Sequence, residues 1–242
     1  MIYVGIDDTD ILGSRGTNQL ARAIVQAATD WKCQGIVRHQ LLDDPRIPYT
    51  SKNGSASIVL ERRHASASDL GSAAESRDEV IAICRRVMRE WFIVGSDPGL
   101  CVTDHVPDVV TQFGQRCKCE VMTQTEARQL AAENGIHLEG LGGTEGGVIG
   151  ALSAVGLIVT GDDGRVVQLG EWPDDLSGPQ PVTTLQNRGI VVEEMDTGLH
   201  IENGTIDVGK HLRPNLRQRQ TKLFVRKSSD SLTSDFQAIK LT

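Results

Sequence analysis

Aromatic side chains are scarce in this sequence: four Phe, three Trp and two Tyr, or 4% of 242 residues. The core therefore has to be built mainly from Val, Ile, Leu and Ala. No run of about 18 apolar residues occurs, so no membrane-spanning helix is expected. Residues 1–8 carry no basic side chain and turn acidic at Asp7, which argues against a secretory leader. Cysteines are few and odd in number: Cys33, Cys84, Cys101, Cys117 and Cys119. Only Cys117 and Cys119 stand close together, and no second pair completes a zinc site. Reduced thiols in a cytoplasm are the expectation.

Positive charge is also in short supply, with a formal net charge of −7. Nucleic-acid binders usually carry a basic face, because Lys and Arg displace the counterions of the phosphates. The overall balance disfavours tRNA as a partner. One segment departs from it: Lys210, Arg213, Arg217, Arg219, Lys222, Arg226 and Lys227 have no acid among them. It reads either as the solvated edge of a β domain or as an anion-facing patch.

Residues 2–6 form a short apolar run with the character of a buried strand. Thr17 or Asn18 is the expected cap of a helix carried by Leu20, Ala21, Ile24, Val25 and Ala28. Residues 35–42 and 57–60 read as strands, the second after the turn dipeptide Asn53-Gly54. Over residues 78–91, Val80, Ile81, Cys84, Val87, Met88 and Trp91 recur at helical spacing. Thr123 and Glu126 spell a capping box before a helix that stops at Asn134-Gly135. Six glycines crowd the stretch 140–150, and a small-residue helix follows at 151–157.

Beyond Gly156 the texture changes. Asp162-Asp163-Gly164 and Glu202-Asn203-Gly204 are hairpin signals, residues 173–181 read as a linker or long loop, and 228–234 are polar. The expected class is α/β (α+β). A mixed-sheet N-terminal domain over residues 1–158 would precede a smaller, mostly β domain over 159–242.

Two stretches suit chemistry. The first is Asp7-Asp8-Thr9-Asp10, just past a strand. Ligands of α/β sheets collect outside the carboxyl ends of strands. Three carboxylates in four residues repel one another unless a cation sits among them, and Mg²⁺ is hard, oxygen-seeking and commonly held beside phosphates. Asp7, Asp8 and Asp10 are therefore the candidate metal ligands, with Asp8 also placed to orient an attacking group. The ordinary alternative is an acidic turn. The second stretch, Gly142-Gly143-Thr144-Glu145-Gly146-Gly147, precedes a helix. Backbone amides of Gly143, Thr144, Gly146 and Gly147 would suit phosphates there. It lacks a lysine, and Glu145 is a like charge; the ordinary alternative is a flexible connector. Lys52 and Asn53 are secondary candidates for phosphate contact, and Thr17 offers a hydroxyl near the acidic loop. Asp97-Pro98-Gly99 reads as a turn. His39, His64, His105, His137, His200 and His211 are scattered without ligand or nucleophile spacing.

In the same order, several stretches resemble the N-terminal catalytic domain of archaeal tRNA-isoleucine agmatidine synthetase. They are Gly5-Ile6-Asp7-Asp8-Thr9-Asp10, Ile47-Pro48-Tyr49 with Asn53-Gly54, Asp97-Pro98-Gly99, the helix at 125–135, and Gly147-Val148-Ile149-Gly150-Ala151-Leu152 with Ala154-Val155-Gly156. That family attaches agmatine to the wobble cytidine of a tRNA in an ATP-dependent reaction. The resemblance implies a kinase-like domain binding ATP and Mg²⁺, with Asp7, Asp8 and Asp10 as metal and phosphate residues. It also implies a threonine open to autophosphorylation, which falls on Thr17. The sequence departs at Gly146, where the family carries an arginine, and in the Gly16-Thr17-Asn18 context. The family's oligonucleotide-binding barrel and zinc ribbon find no match. The leading expectation is an ATP- and Mg²⁺-dependent phosphotransferase or ligase acting on a small nucleoside-like or amine-containing acceptor. The alternatives are a tRNA-modifying enzyme of reduced architecture and a nucleotide-binding regulatory module without turnover.

Overall fold

The computed structural model describes residues 1–47, 52–63, 72–228 and 233–241. Pro48, Tyr49 and His64 lie outside the described residues, as do residues 229–232 of the polar segment. The chain divides into two compact units, Met1–Thr160 and Gly161–Thr242.

The first unit runs β1 (Ile2–Asp7), α1 (Thr17–Ala27), β2 (Trp31–Gln40), β3 (Gly54–Arg62), α2 (Ala73–Trp91), β4 (Gly99–Thr103), α3 (Asp108–Arg116), α4 (Gln124–Glu133), β5 (His137–Gly140) and α5 (Val148–Ile158). Its strands lie in the order β5-β4-β1-β3-β2, each neighbour antiparallel. β1 is central and buries Ile2, Val4 and Ile6. A single rung crosses all five strands as Glu139–Leu100–Ile6–Ala56–Arg38. The next rung includes Gly140, Gly99 and Asp7.

Antiparallel order changes the reason why chain segments gather at this end of the sheet. The ends of β1, β2 and β5 meet the starts of β3 and β4 there, so five separate chain segments arrive together. The carboxyl-end rule of parallel sheets does not supply the geometry.

α5 is apolar all round, with every residue except Ile149 buried, as befits a core helix. It approaches β1 closely because Gly5 has no side chain: a Cβ there would lie 1.9 Å from the Ala151 carbonyl oxygen. α1 and α2 contribute Leu20, Ile24, Val80, Cys84 and Met88 to the core. Capping boxes start α2 at Ser72 and α4 at Thr123. α1 differs from expectation: its N-cap is Gly16, with no side-chain cap bond, and Thr17 is its first helical residue. Two elements lie outside the expectation: α3, a nine-residue amphipathic helix without a side-chain cap, and β5, four half-buried residues.

The second unit runs β6 (Arg165–Leu169), β7 (Trp172–Pro173), β8 (Pro179–Pro181), α6 (Val182–Asn187), β9 (Val191–Glu194), β10 (Thr205–Asp207), β11 (Asn215–Arg217), β12 (Gln220–Lys227) and β13 (Phe236–Ala238). The strand order is β6-β11-β12-β13-β10-β8, with β7 on β6 and β9 on β12. The α/β class with mixed pairing holds, and the parallel pairs, β9 with β12 and β10 with β13, fall in this unit. Val182, Leu185, Ile206, Leu223 and Val225 form its core. The stretch expected as a linker, 173–181, contains β8.

The basic segment is not one free face. Lys222 is buried, with Nζ 2.8 Å from Glu193 Oε2 and 2.6 Å from Gln218 Oε1. Arg226 pairs with Asp196 at 3.0 Å, and Arg217 donates to the Leu216 carbonyl at 2.7 Å. Arg219 is exposed in the tight turn joining β11 to β12. No helix among the described residues is long and apolar enough to cross a membrane.

Candidate active site

Asp7 ends β1. The residue is half-buried, but its carboxyl end lies deep, in the space left by Gly150 of α5. A Cβ on Gly150 would meet Oδ2 of Asp7 at 1.7 Å. Burial pushes the Asp7 carboxyl up to about 7; Asp8 and Asp10 push the same way, and the Arg38 charge opposes.

Asp8 takes left-handed backbone with φ of +50°, uncommon for a residue other than glycine but tolerated by Asp. Partial burial, with the charges of Asp97 and Asp10, raises its carboxyl to about 6. Asp10 is also raised by burial, against the pull of Arg38. Thr9 is buried and donates its hydroxyl to that of Thr17 at 3.1 Å. Thr17 is thus tied directly to the acidic loop.

Asp97, read from the sequence as a turn, is the hub of the site. Its N–H donates to the Asp8 carbonyl at 3.1 Å, and its carbonyl accepts from Gly147 N–H at 3.0 Å. Its Oδ1 accepts from Thr144 N–H at 2.6 Å, and its Oδ2 from the Thr144 hydroxyl at 2.7 Å. The acidic loop and the glycine loop, far apart in sequence, are joined through this one residue. Gly143 has φ of +61°, and a Cβ there would fall 1.6 Å from Asp97 Oδ1. Gly147 is also tightly packed, with a Cβ position 2.4 Å from the Asp97 carbonyl oxygen. Gly146 is less constrained, its nearest neighbour being Thr144 Oγ1 at 3.5 Å. Glu145 pairs with Arg128 of α4, which offsets the negative charge on the loop.

Asn53 holds the entry to β3: its Nδ2 donates to the Leu42 carbonyl at 2.7 Å, and its own carbonyl accepts from Leu41 N–H at 2.9 Å. Lys52 is exposed beside it. The next residue, Gly54, leaves room for Arg38, whose Nη2 is 2.8 Å from where a Cβ would be. Arg38 and Asp97 are the two residues that sequence reasoning missed. Arg38 sits in a strand without a local motif, and only the cross-strand register brings its charge to Asp7 and Asp10.

Among the described residues, no three carboxylate, thiol or imidazole groups converge as a ready-made metal cage. Asp7 turns toward α5 and Asp8 toward Asp97, so the three acids of the motif do not meet at one point. A cysteine nucleophile finds no support in the four buried thiols: burial lifts Cys33 to about 11, Cys84 and Cys117 to about 12, and Cys101 higher still. All five cysteines are free.

No family model matches the sequence, and no curated protein matches it. Solved structures do. A tRNA fluorescent labeling enzyme is 25% identical, covering 64% of this chain and 35% of its own, with a TM-score of 0.52. Apo TiaS, a tRNAIle2 agmatidine synthetase, is 24% identical over the same shares, also at 0.52. TiaS in complex with tRNA(Ile2) and ATP is 23% identical, over 64% of this chain and 36% of that one, again at 0.52. The chain contains a TiaS-like domain. The match spans little more than a third of the length of these TiaS and labeling-enzyme chains. Within this chain it covers a share close to that of the first unit, which holds the acidic loop, Asp97 and the glycine loop.

Proposed function

We propose that the TiaS-like domain binds ATP between the acidic loop and the glycine loop, and that the chain uses it to modify a nucleoside base. The observation that carries this reading is the junction at Asp97, which brings Asp8 and the amides of Thr144 and Gly147 to one place. Carboxylates on one side and the exposed tip of the glycine loop, residues 143–145, on the other suit a metal-bound triphosphate.

Mg²⁺ usually takes one or two carboxylates plus phosphate oxygens rather than a protein cage. Asp8, beside Asp97 and Asp10, fits that requirement, since adjacent like charges ask for a cation. Once bound, Mg²⁺ would neutralise charge on the transferring phosphoryl group. Asp8 would orient the attacking group, and Gly143, Thr144, Gly146 and Gly147 would line the phosphate side. Asp7 holds the strand end against α5, and Thr17 braces the acidic loop through Thr9.

The test is calorimetric titration of ATP, with and without Mg²⁺, on the wild type and on Asp8→Asn. Mg²⁺-dependent binding that the variant loses is the expected result. No binding to the folded wild type would sink the reading.

Two acceptors compete. The net charge of −7 favours a small nucleoside-like or amine-containing molecule. A tRNA is favoured by the solved neighbours, which include TiaS bound to tRNA(Ile2) with ATP and with AMPCPP and agmatine. ATP-dependent incorporation of labelled agmatine into bulk tRNA, against free cytidine, separates them. ATP bound with neither incorporation nor hydrolysis would favour a regulatory module.

A further inference from the structure

Thr144 presents two donors at the exposed tip of the glycine loop, and one carboxylate takes both. Asp97 Oδ1 receives the N–H at 2.6 Å and Oδ2 the hydroxyl at 2.7 Å. The left-handed backbone at Gly143 and the 1.6 Å between its Cβ position and Oδ1 shape the loop around that carboxylate. To such donors, a pair of carboxylate oxygens and a pair of phosphate oxygens are the same kind of partner.

The side chain is not needed to join the loops. The Asp97 main chain already does so, through its bonds to the Asp8 carbonyl and the Gly147 N–H. Nor is the carboxylate sealed in: Asp97 is half-buried and Thr144 exposed, so water and solutes reach the pair. Asp8 lies on the same side and repels it.

We propose that the Asp97 carboxylate is a displaceable stand-in for phosphate, a positioning residue that keeps the glycine loop in its receiving shape and yields Thr144 when a polyphosphate arrives. The inference rests on the nucleotide reading above, and it adds a built-in competitor. The ligand-free loop is preformed rather than collapsed, at the cost of a weaker grip on phosphate.

Inorganic pyrophosphate without divalent metal is the probe, titrated calorimetrically into the full chain. Asp97→Ala empties the position. Asp97→Asn keeps the size but removes the charge, and its amide nitrogen cannot accept from the Thr144 hydroxyl. Both variants are expected to bind pyrophosphate at least about tenfold tighter than the wild type, a gain of about 1.4 kcal/mol. A strap with a structural role alone predicts the reverse, since loosening the loop weakens binding. Equal or weaker binding by folded variants, judged by melting temperature, overturns the proposal. If Asp97→Ala does not fold, Asp97→Asn decides. Titration of Mg²⁺-ATP into the wild type separates the two readings. Tighter pyrophosphate binding by the variants without Mg²⁺-ATP binding by the wild type overturns the ATP assignment and leaves Asp97 as described. Mg²⁺-ATP binding without that gain does the opposite.

Discussion

The carboxylate of Asp7 occupies the space that a side chain on Gly150 would need, with Oδ2 1.7 Å from the Cβ position. Gly150→Ala must therefore move either the carboxylate or α5. The expected outcome is a loss of about 1–3 kcal/mol of stability, typical of overpacking, and a drop of at least about tenfold in Mg²⁺-ATP affinity. Gly146→Ala is the control for stability alone, because its Cβ would meet nothing nearer than 3.5 Å. Thermal melts compare the two variants, and calorimetry compares Gly150→Ala with the wild type. Equal melting temperatures, or an unchanged Mg²⁺-ATP affinity in Gly150→Ala, would remove Gly150 from the site.

Burial makes Asp7 a pH-dependent liability. Its carboxyl is pushed up to about 7 in the folded chain against 3.8 for the free group. The folded state therefore holds the proton more tightly. The stabilisation this gives is full below the unfolded value and is lost as pH rises through about 7. Between pH 4 and pH 8 the loss should be on the order of 2–4 kcal/mol. Urea denaturation of wild type and Asp7→Asn at both pH values tests this. The wild type should lose stability more steeply with rising pH, and parallel behaviour would contradict the assignment.

Arg38 lowers the carboxyls of Asp7 and Asp10 through its charge. Arg38→Met removes that pull while keeping much of the packing volume. The Asp7 and Asp10 titration midpoints, followed by carboxyl NMR, should move upward. Unmoved midpoints would mean that Arg38 is too well screened to matter.

Lys222 and Arg219 belong to the same basic segment but should behave differently. Lys222 is buried against Glu193, so Lys222→Ala leaves a largely buried carboxylate with only the exposed His200, 3.8 Å away, beside it. A cost of about 3 kcal/mol is expected. Arg219→Ala alters an exposed turn residue and should stay within about 0.5 kcal/mol. Denaturant titrations of both read the difference directly.

Much of the fold was legible wherever pattern and local chemistry agree. The apolar run at 2–6 is the central strand, the 3.6-residue periodicity before Trp91 is α2, and Thr123 with Glu126 is a true capping box. The small-residue stretch after the glycines is α5, whose closeness to β1 explains why its residues are small. α3 has no side-chain cap to announce it, and α6 and the short strands of the second unit are too brief for a period to show. The two loops of the candidate site were legible as motifs, but their connection was not. Asp97 reads as a turn because Asp-Pro-Gly favours turns, and nothing local reveals that its carboxylate reaches Thr144. The antiparallel register that brings Arg38 to the acidic loop is likewise a long-range property.

Because five strand ends build one side of the candidate site, no fragment of the first unit contains it. Residues from Asp7 to Gly147 come together only when β1 is flanked by β3 and β4 and covered by α5. Nucleotide would then be a ligand of the folded state alone. At a free concentration about one hundred times its dissociation constant it would deepen the folded basin by about 2.7 kcal/mol. Resistance to proteolysis would rise with it, and occupancy of the site would become a report on the integrity of the whole sheet.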